Sequence, residues 1–300
     1  MGGLSFLTNM EVRCKLKMKN EFNYYNPTNM SELFEIIEDK KNTALLAGGT
    51  DLIVDMKHEA HKPDNIIDIK NIDELNKVEE TDEGLYIGAA VTCNQFLNES
   101  DIVDKYKVLA DGVKVLGSHQ IRNRATIVGN VCGSSPGADT PPPLLTLNST
   151  ILIKSSNNER EVNLVDFFTG VKRNILGDNE IAVAIKVPEP ALDGIGKYER
   201  KTRVKGPDLS ACGVAGFISK EEKIVRFGYG AVAPIPKLID ASELFFEKNI
   251  DKDKALEELL NRVENTINPI TDVRSTEKHR RSIAKVYTKR IFSELWEEGE

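Results

Sequence analysis

The most constraining feature of this chain is an apolar run broken by two glycines: Ala44-Leu45-Leu46-Ala47-Gly48-Gly49-Thr50-Asp51-Leu52. Residues 44–47 read as a short buried strand. Gly48 and Gly49 then permit positive φ or a close backbone approach without a Cβ clash. Thr50 and Asp51 lead into a second apolar run, Leu52-Ile53-Val54. A strand that enters a glycine turn aims successive backbone N–H groups into a small concavity, and such nests hold phosphate oxygens. Alone, the pair also reads as a tight turn between two elements.

A second stretch has the same character. Residues 117–139 read GSHQIRNRATIVGNVCGSSPGAD, with Gly129, Gly133 and Gly137 spaced by four and Thr126, Asn130, Ser134, Ser135 and Asp139 among them. It is too polar and glycine-rich for core, yet Ile121, Ile127, Val128 and Val131 argue against a free loop. Two glycine-and-hydroxyl loops, each beside an apolar strand, suit a long ligand with a diphosphate in its middle. Neither has the G-x-G-x-x-G spacing of a Rossmann turn, which disfavours the usual dinucleotide fold.

Around these loops the pattern is α+β. Met30, Leu33, Phe34 and Ile37 predict a helix over 29–40, capped by Thr28 or Asn29. Asn65 to Lys70 alternates as a half-buried strand, which makes 18–72 a βαββ-like unit. A strand over 85–91 follows, then a capping box at Thr92 and Gln95 and a helix over 102–116. Pro141-Pro142-Pro143 closes the second loop and precludes a central strand there. Strands are expected at 151–154 and 181–188, with PEPALDG at 188–194 as a linker. Beyond it, strands at 197–203, 211–218 and 223–233 precede helices at 241–248, 252–267 and 276–296. The last has Ile283, Val286, Ile291 and Leu295 as its apolar stripe, and this part reads as a separate C-terminal α/β layer.

Three hundred residues exceed one typical domain of roughly 100–200. No apolar run approaches the ~20 residues that cross a bilayer, so no membrane span is expected. A net charge of −7 argues against a nucleic-acid surface, which needs a basic stripe; Arg200, Lys201, Arg203 and Lys205 form only a local patch. Cys14, Cys93, Cys132 and Cys212 form no C-x-x-C pair, which argues against a cluster or zinc held by this chain and suits a reducing cytoplasm. His58 and His61 lack the partners of a metal set. Residues 1–17 carry neither a secretory signal nor, with Phe6 at position 6, a myristoylation pattern.

Together, LLAGGTDL and QIRNRATIVGNVCGSSPGAD resemble the FAD-binding (medium) subunit of the molybdenum hydroxylases, the family of xanthine dehydrogenase and carbon monoxide dehydrogenase, over residues 22–290. The resemblance implies a two-subdomain FAD-binding fold of the PCMH/vanillyl-alcohol oxidase type over 18–190, with subdomains at 18–72 and 73–190. A C-terminal α/β domain of the CO dehydrogenase flavoprotein type over 191–300 would follow, and 1–17 would be an extension without assigned function.

The resemblance also implies a site. Leu46, Ala47, Gly48, Gly49, Thr50, Asp51 and Leu52 would wrap the FAD diphosphate from one side. Ala125, Thr126, Val128, Gly129 and Asn130 would do so from the other; the family often has Gly-Gly where this chain has Val128-Gly129. Ser135 and Asp139 correspond to polar contacts at the adenosine or ribityl end, though Asp139 also reads as a turn cap before the prolines. Leu116 would pack on the cofactor, and Ile181 and Ala182 would line adenine or ribose. The family's Y-x-K motif appears as Tyr198-Glu199-Arg200, with Lys201 next, which makes Arg200 the candidate basic contact. Residues 204–209 match a loop that gates the flavin face, or form a basic surface hairpin.

No nucleophile–base or carboxylate pair points to hydrolysis. Chemistry would belong to the flavin. As the resemblance has it, electrons leave a substrate at molybdopterin on a large partner subunit. They cross two-iron clusters on a small one, reach FAD here and pass to NAD, in a cytoplasmic dimer of heterotrimers. SPGADTPPPLL resembles xanthine dehydrogenase versions, which favours xanthine or hypoxanthine. Carbon monoxide, nicotinate and other aromatic substrates are alternatives, as are a stand-alone reductase of the enolpyruvyl type and a non-catalytic nucleotide-binding module.

Overall fold

The computed structural model describes residues 21–246 and 251–298. The extension over 1–17, Cys14 and the end of the helix expected over 241–248 lie outside the described residues.

The first unit runs β1 (Asn23–Tyr25), α1 (Met30–Asp39), β2 (Thr43–Leu46), α2 (Leu52–Lys57) and β3 (Asn65–Asp68). Its strands form a parallel sheet in the order β1-β3-β2. The Asn29 side chain caps α1 by accepting from the Glu32 N–H at 3.0 Å, and Leu33 and Ile37 are buried. Two expectations change here. Leu52-Ile53-Val54 begins a helix, with Ile53 N–H bonded to Gly49 C=O and Asp55 N–H to Asp51 C=O. Met56 on it is buried while Val54 is 47% exposed, a helical and not an extended periodicity. The unit is therefore βαβαβ, because parallel neighbours need crossovers. In addition β3 is buried along all four residues, as a central parallel strand is. Its polar ends are satisfied by Asn23 and Tyr24, which donate to Asn65 and Asp68 at 3.0 and 2.6 Å.

After a 3-10 turn (Asp73–Asn76) come β4 (Val78–Thr81), β5 (Gly84–Gly88), α3 (Cys93–Asn98), α4 (Ser100–Lys105), α5 (Lys107–Val115), α6 (His119–Arg122), α7 (Ile127–Cys132) and α8 (Pro141–Thr146). Then follow β6 (Thr150–Lys154), β7 (Glu159–Asn163), α9 (Leu164–Phe167), β8 (Phe168–Gly170), β9 (Arg173–Asn174) and β10 (Ile181–Val187). Strands β4-β5-β10-β6-β7 form an antiparallel sheet in that order. The capping box at Thr92 and Gln95 is present. The helix expected over 102–116 is two helices, because Tyr106 leaves helical geometry (φ −106°, ψ 43°) with its side chain fully buried. Pro141 to Pro143 form the buried first turn of α8, where missing N–H groups cost nothing.

The C-terminal part is an antiparallel meander of β11 (Ile195–Lys201), β12 (Cys212–Ser219), β13 (Ile224–Gly230) and β14 (Lys237–Asp240). Helices α10 (Ser242–Phe246), α11 (Lys252–Thr266) and α12 (Glu277–Glu298) follow. The stripe expected on α12 is corrected at Val286, which is 56% exposed. Arg280, Ala284, Thr288, Ile291, Phe292 and Leu295 form the buried face. The polar members find partners on the C-terminal sheet and the loop before the helix: Thr288 bonds Tyr229 at 2.9 Å, and the Arg280 Nη atoms donate to the Ala211 and Ala231 carbonyls and to Asp272, while the buried Arg280 Nε has no partner among the described residues.

The two halves meet closely. The first core takes in Tyr198, Ala215 and Phe217 from the C-terminal sheet. A Cβ on Gly228 would lie 2.2 Å from the Pro142 carbonyl oxygen, so α8 rests directly on β13.

Candidate site between two glycine segments

The first segment leaves β2 at Leu46 and reaches α2 through residues 47–51. Gly49 has φ +72°, the left-handed region where a side chain is strained. Gly48 is constrained by space: its Cβ would lie 2.1 Å from the Arg124 carbonyl oxygen and 2.9 Å from the Ala125 Cα. The backbone before Thr126 is thus pressed against the first glycine turn. Among the described residues, the N–H groups of Gly48, Gly49, Thr50 and Asp51 donate to no protein acceptor.

The second segment is built of short capped helices. Ser118 caps α6 and Thr126 caps α7. The Thr126 hydroxyl accepts from the Gly129 N–H at 3.0 Å, and a Cβ on Gly129 would come 2.6 Å from that oxygen. The segment is anchored from α3 by Cys93 N–H to Ala125 C=O at 2.8 Å and by a Thr92–Thr126 bridge. Ala125, Thr126 and Val128 are buried, whereas Gly129 is exposed and Asn130 half-buried. Asn130 Oδ1 accepts from the Thr140 hydroxyl at 2.7 Å, which ties α7 to the start of α8.

The remaining candidates divide. Leu116 ends α5 and is buried, with its carbonyl accepting from Arg122 at 3.0 Å. Ser135 is half-buried after Ser134 at φ +45°. Ile181 and Ala182 are buried on β10 opposite Lys154 and Ile153, in the strand on which α7 packs. Leu46, Ala47, Thr50 and Leu52 are half-buried around the first turn, with Asp51 exposed.

Asp139 and Arg200 form a buried cluster of their own. Asp139 accepts from Arg200 at 2.7 Å, from the Tyr198 hydroxyl at 2.8 Å and from Ser210 at 2.6 Å. Burial pushes the Asp139 carboxyl up, opposed by the Arg200 charge and these three donors. Burial and the facing carboxylate also raise Tyr198 well above its ordinary value. Arg200 reaches the Asp208 carbonyl at 3.1 Å, which fastens the 202–210 loop to the same point. Ser210, Tyr198 and the approach of the Arg124 backbone carbonyl were not legible as parts of the site; the Tyr-x-Arg pattern singled out Arg200 and not the tyrosine beside it.

The geometry suits an anionic ligand with a diphosphate: two backbone turns face one another, one with unused N–H donors. Among the described residues no cluster of histidine, cysteine and carboxylate could hold a metal ion, and no helix is long and apolar enough to cross a membrane.

Residues 20–190 match the family model described as the FAD binding domain in molybdopterin dehydrogenase. Residues 198–295 match the CO dehydrogenase flavoprotein C-terminal domain. The chain is 30% identical over 279 residues to the glyceraldehyde dehydrogenase medium chain of Sulfolobus acidocaldarius, covering 92% of this chain and 98% of that protein. It is 26% identical over 276 residues to the xanthine dehydrogenase FAD-binding subunit of Escherichia coli O157:H7, covering 90% and 94%. The carbon monoxide dehydrogenase structure from Hydrogenophaga pseudoflava superposes with a TM-score of 0.84 at 27% identity, over 92% of this chain and 97% of that one. The architecture is thus the two-domain FAD-binding fold of the carbon monoxide dehydrogenase medium chain. This chain belongs to the FAD-binding medium subunits of the molybdenum hydroxylase family.

Proposed function

We propose that this chain holds FAD between its two glycine segments and relays electrons from two-iron clusters of a small partner subunit to NAD. A large partner subunit with molybdopterin would oxidise the substrate, within a cytoplasmic dimer of heterotrimers. The observation that supports the reading is the approach of Gly48 to the Arg124 carbonyl, which brings together two segments distant in sequence. Gly48, Gly49 and Thr50 would offer N–H and hydroxyl donors to the diphosphate from one side. Thr126, Gly129 and Asn130 would line the other side, where the Thr126 hydroxyl and the Asn130 side-chain amide can donate while the Gly129 N–H is held by Thr126, with Leu46, Ala47, Asp51, Leu52, Ala125 and Val128 completing the turns. Leu116, Ile181 and Ala182 would form apolar walls.

Bound FAD supplies exchange between one-electron donors and a two-electron hydride acceptor. The protein's part is binding, orientation and exclusion of water. Ser135, Asp139 and Arg200 would set the far end of the cofactor, with Asp139 and Arg200 held by one another until a ligand competes. The working division is 18–190 for the cofactor and 191–300 for the C-terminal layer, the latter bringing Arg200 and the 204–209 loop to the cleft.

For the substrate we favour xanthine or hypoxanthine, on the likeness of residues 135–145 to xanthine dehydrogenase versions. A second reading, an aldehyde, draws on the extent of the match to a glyceraldehyde dehydrogenase medium chain. The experiment is purification of the assembled complex through a tag on this chain, then assay with hypoxanthine and glyceraldehyde, each with NAD and with an artificial dye. NAD reduction by hypoxanthine supports the first reading and reduction by glyceraldehyde the second. Turnover with dye alone removes NAD as acceptor, and a complex without flavin removes the whole assignment.

A further inference from the structure

The turn beside the two glycine segments carries charge that no carboxylate among the described residues neutralises. Of the twelve arginines among the described residues, nine form an ion pair with a carboxylate, including Arg160, Arg200, Arg262, Arg280 and Arg290. Arg122, Arg124 and Arg173 do not. Two of these three lie on the same short turn, in a chain whose net charge is −7. Arg124 is exposed, as is His119, and between them Ile121 is 42% exposed. An apolar centre flanked by unpaired arginine is the composition of a protein contact point.

The turn is also held rigidly. The buried Asn94 amide donates to Asn123 at 2.6 Å and to the His119 carbonyl at 3.1 Å, and its oxygen accepts from Arg122 Nε at 3.3 Å. Arg122 Nη1 is spent on the Leu116 carbonyl, so Arg124 is the guanidinium left to face outward. A surface fixed before association loses little conformational freedom on binding.

We infer that His119, Ile121 and Arg124 form a docking point for an acidic, partly apolar face of the electron-donating iron–sulfur chain. The inference rests on the relay proposed above. Its charge argues for an acidic partner. Its position argues for the donor: the turn abuts Gly48 through the Arg124 carbonyl and is bonded to Leu116, the residue proposed to pack on the cofactor. Electron transfer falls steeply with distance, so a donor seated here is separated from the cofactor by little protein.

The test compares Arg124→Glu, Arg124→Lys and Arg173→Glu in the assembled complex, purified through this chain and washed at rising sodium chloride. Iron and flavin are measured per chain at each step. Arg124→Glu is expected to shed the iron–sulfur chain at least tenfold more readily than the parent, with flavin content unchanged. Arg124→Lys and Arg173→Glu should keep it, and high salt should weaken the parent complex, since exposed charge pairs are screened. Unchanged iron retention in Arg124→Glu overturns the inference alone, and so does flavin loss with iron retained, which would assign Arg124 to the cofactor. A parent complex with flavin but no iron–sulfur chain overturns the relay reading and the inference with it.

Discussion

Gly48 and Gly49 are glycine for different reasons. Gly49 occupies the left-handed region, whereas Gly48 lies where another segment's backbone passes. In Gly48→Ala a methyl group would need space held by the Arg124 carbonyl, and overpacking of this kind costs about 1–3 kcal/mol. The expected outcome is FAD affinity reduced tenfold or more, equivalent to about 1.4 kcal/mol, with a native circular dichroism spectrum; flavin fluorescence titration measures it. The glycine pair was visible in the sequence, but its partner was not, because a glycine signals permission for close approach and not what approaches. Asp139 was singled out by resemblance, and Arg200 by the altered Tyr-x-Lys pattern. Their pairing across 61 residues could not be read, since neither residue carries a local signal for the other.

At the scale of elements, strands with clear alternation and helices with caps were legible. Short apolar runs were not: Leu52-Ile53-Val54 is too brief for periodicity to separate helix from strand, and tertiary placement of Met56 decided for helix. Tyr106 split a helix because burying its ring outweighed local propensity. The stripe on α12 was misread at Val286 because Arg280 and Thr288, polar and buried, take the place of apolar residues.

Two predictions belong to this scale. Gly228→Ala should separate β13 from α8, and a drop in melting temperature without loss of secondary structure would register it. The Asp272 carboxyl, although burial opposes ionisation, is lowered to about 2 by the Arg274 and Ser275 N–H groups and the Arg280 guanidinium. A depressed folded-state value means the stabilisation is present above the unfolded value near 3.8 and is lost as pH falls through about 2. Melting temperature should therefore fall between these limits, and Asp272→Asn should flatten that part of the profile.

Over the whole molecule, the two halves share buried contacts, which the composition and the 188–194 segment did not foretell; a linker-like sequence reads as separation when the faces it joins are unknown. Burial pushes the thiols of Cys93, Cys132 and Cys212 up to about 12. Native protein at neutral pH should leave these three unalkylated, while denatured protein reacts at all of them, as peptide mass spectrometry would register. The most direct measurement is a crystal structure of this chain reconstituted with FAD. The account predicts the diphosphate within hydrogen-bonding distance of backbone N–H groups from both 48–50 and 126–130. A cofactor bound elsewhere, or those two segments closed on each other with side chains filling the gap, would contradict it.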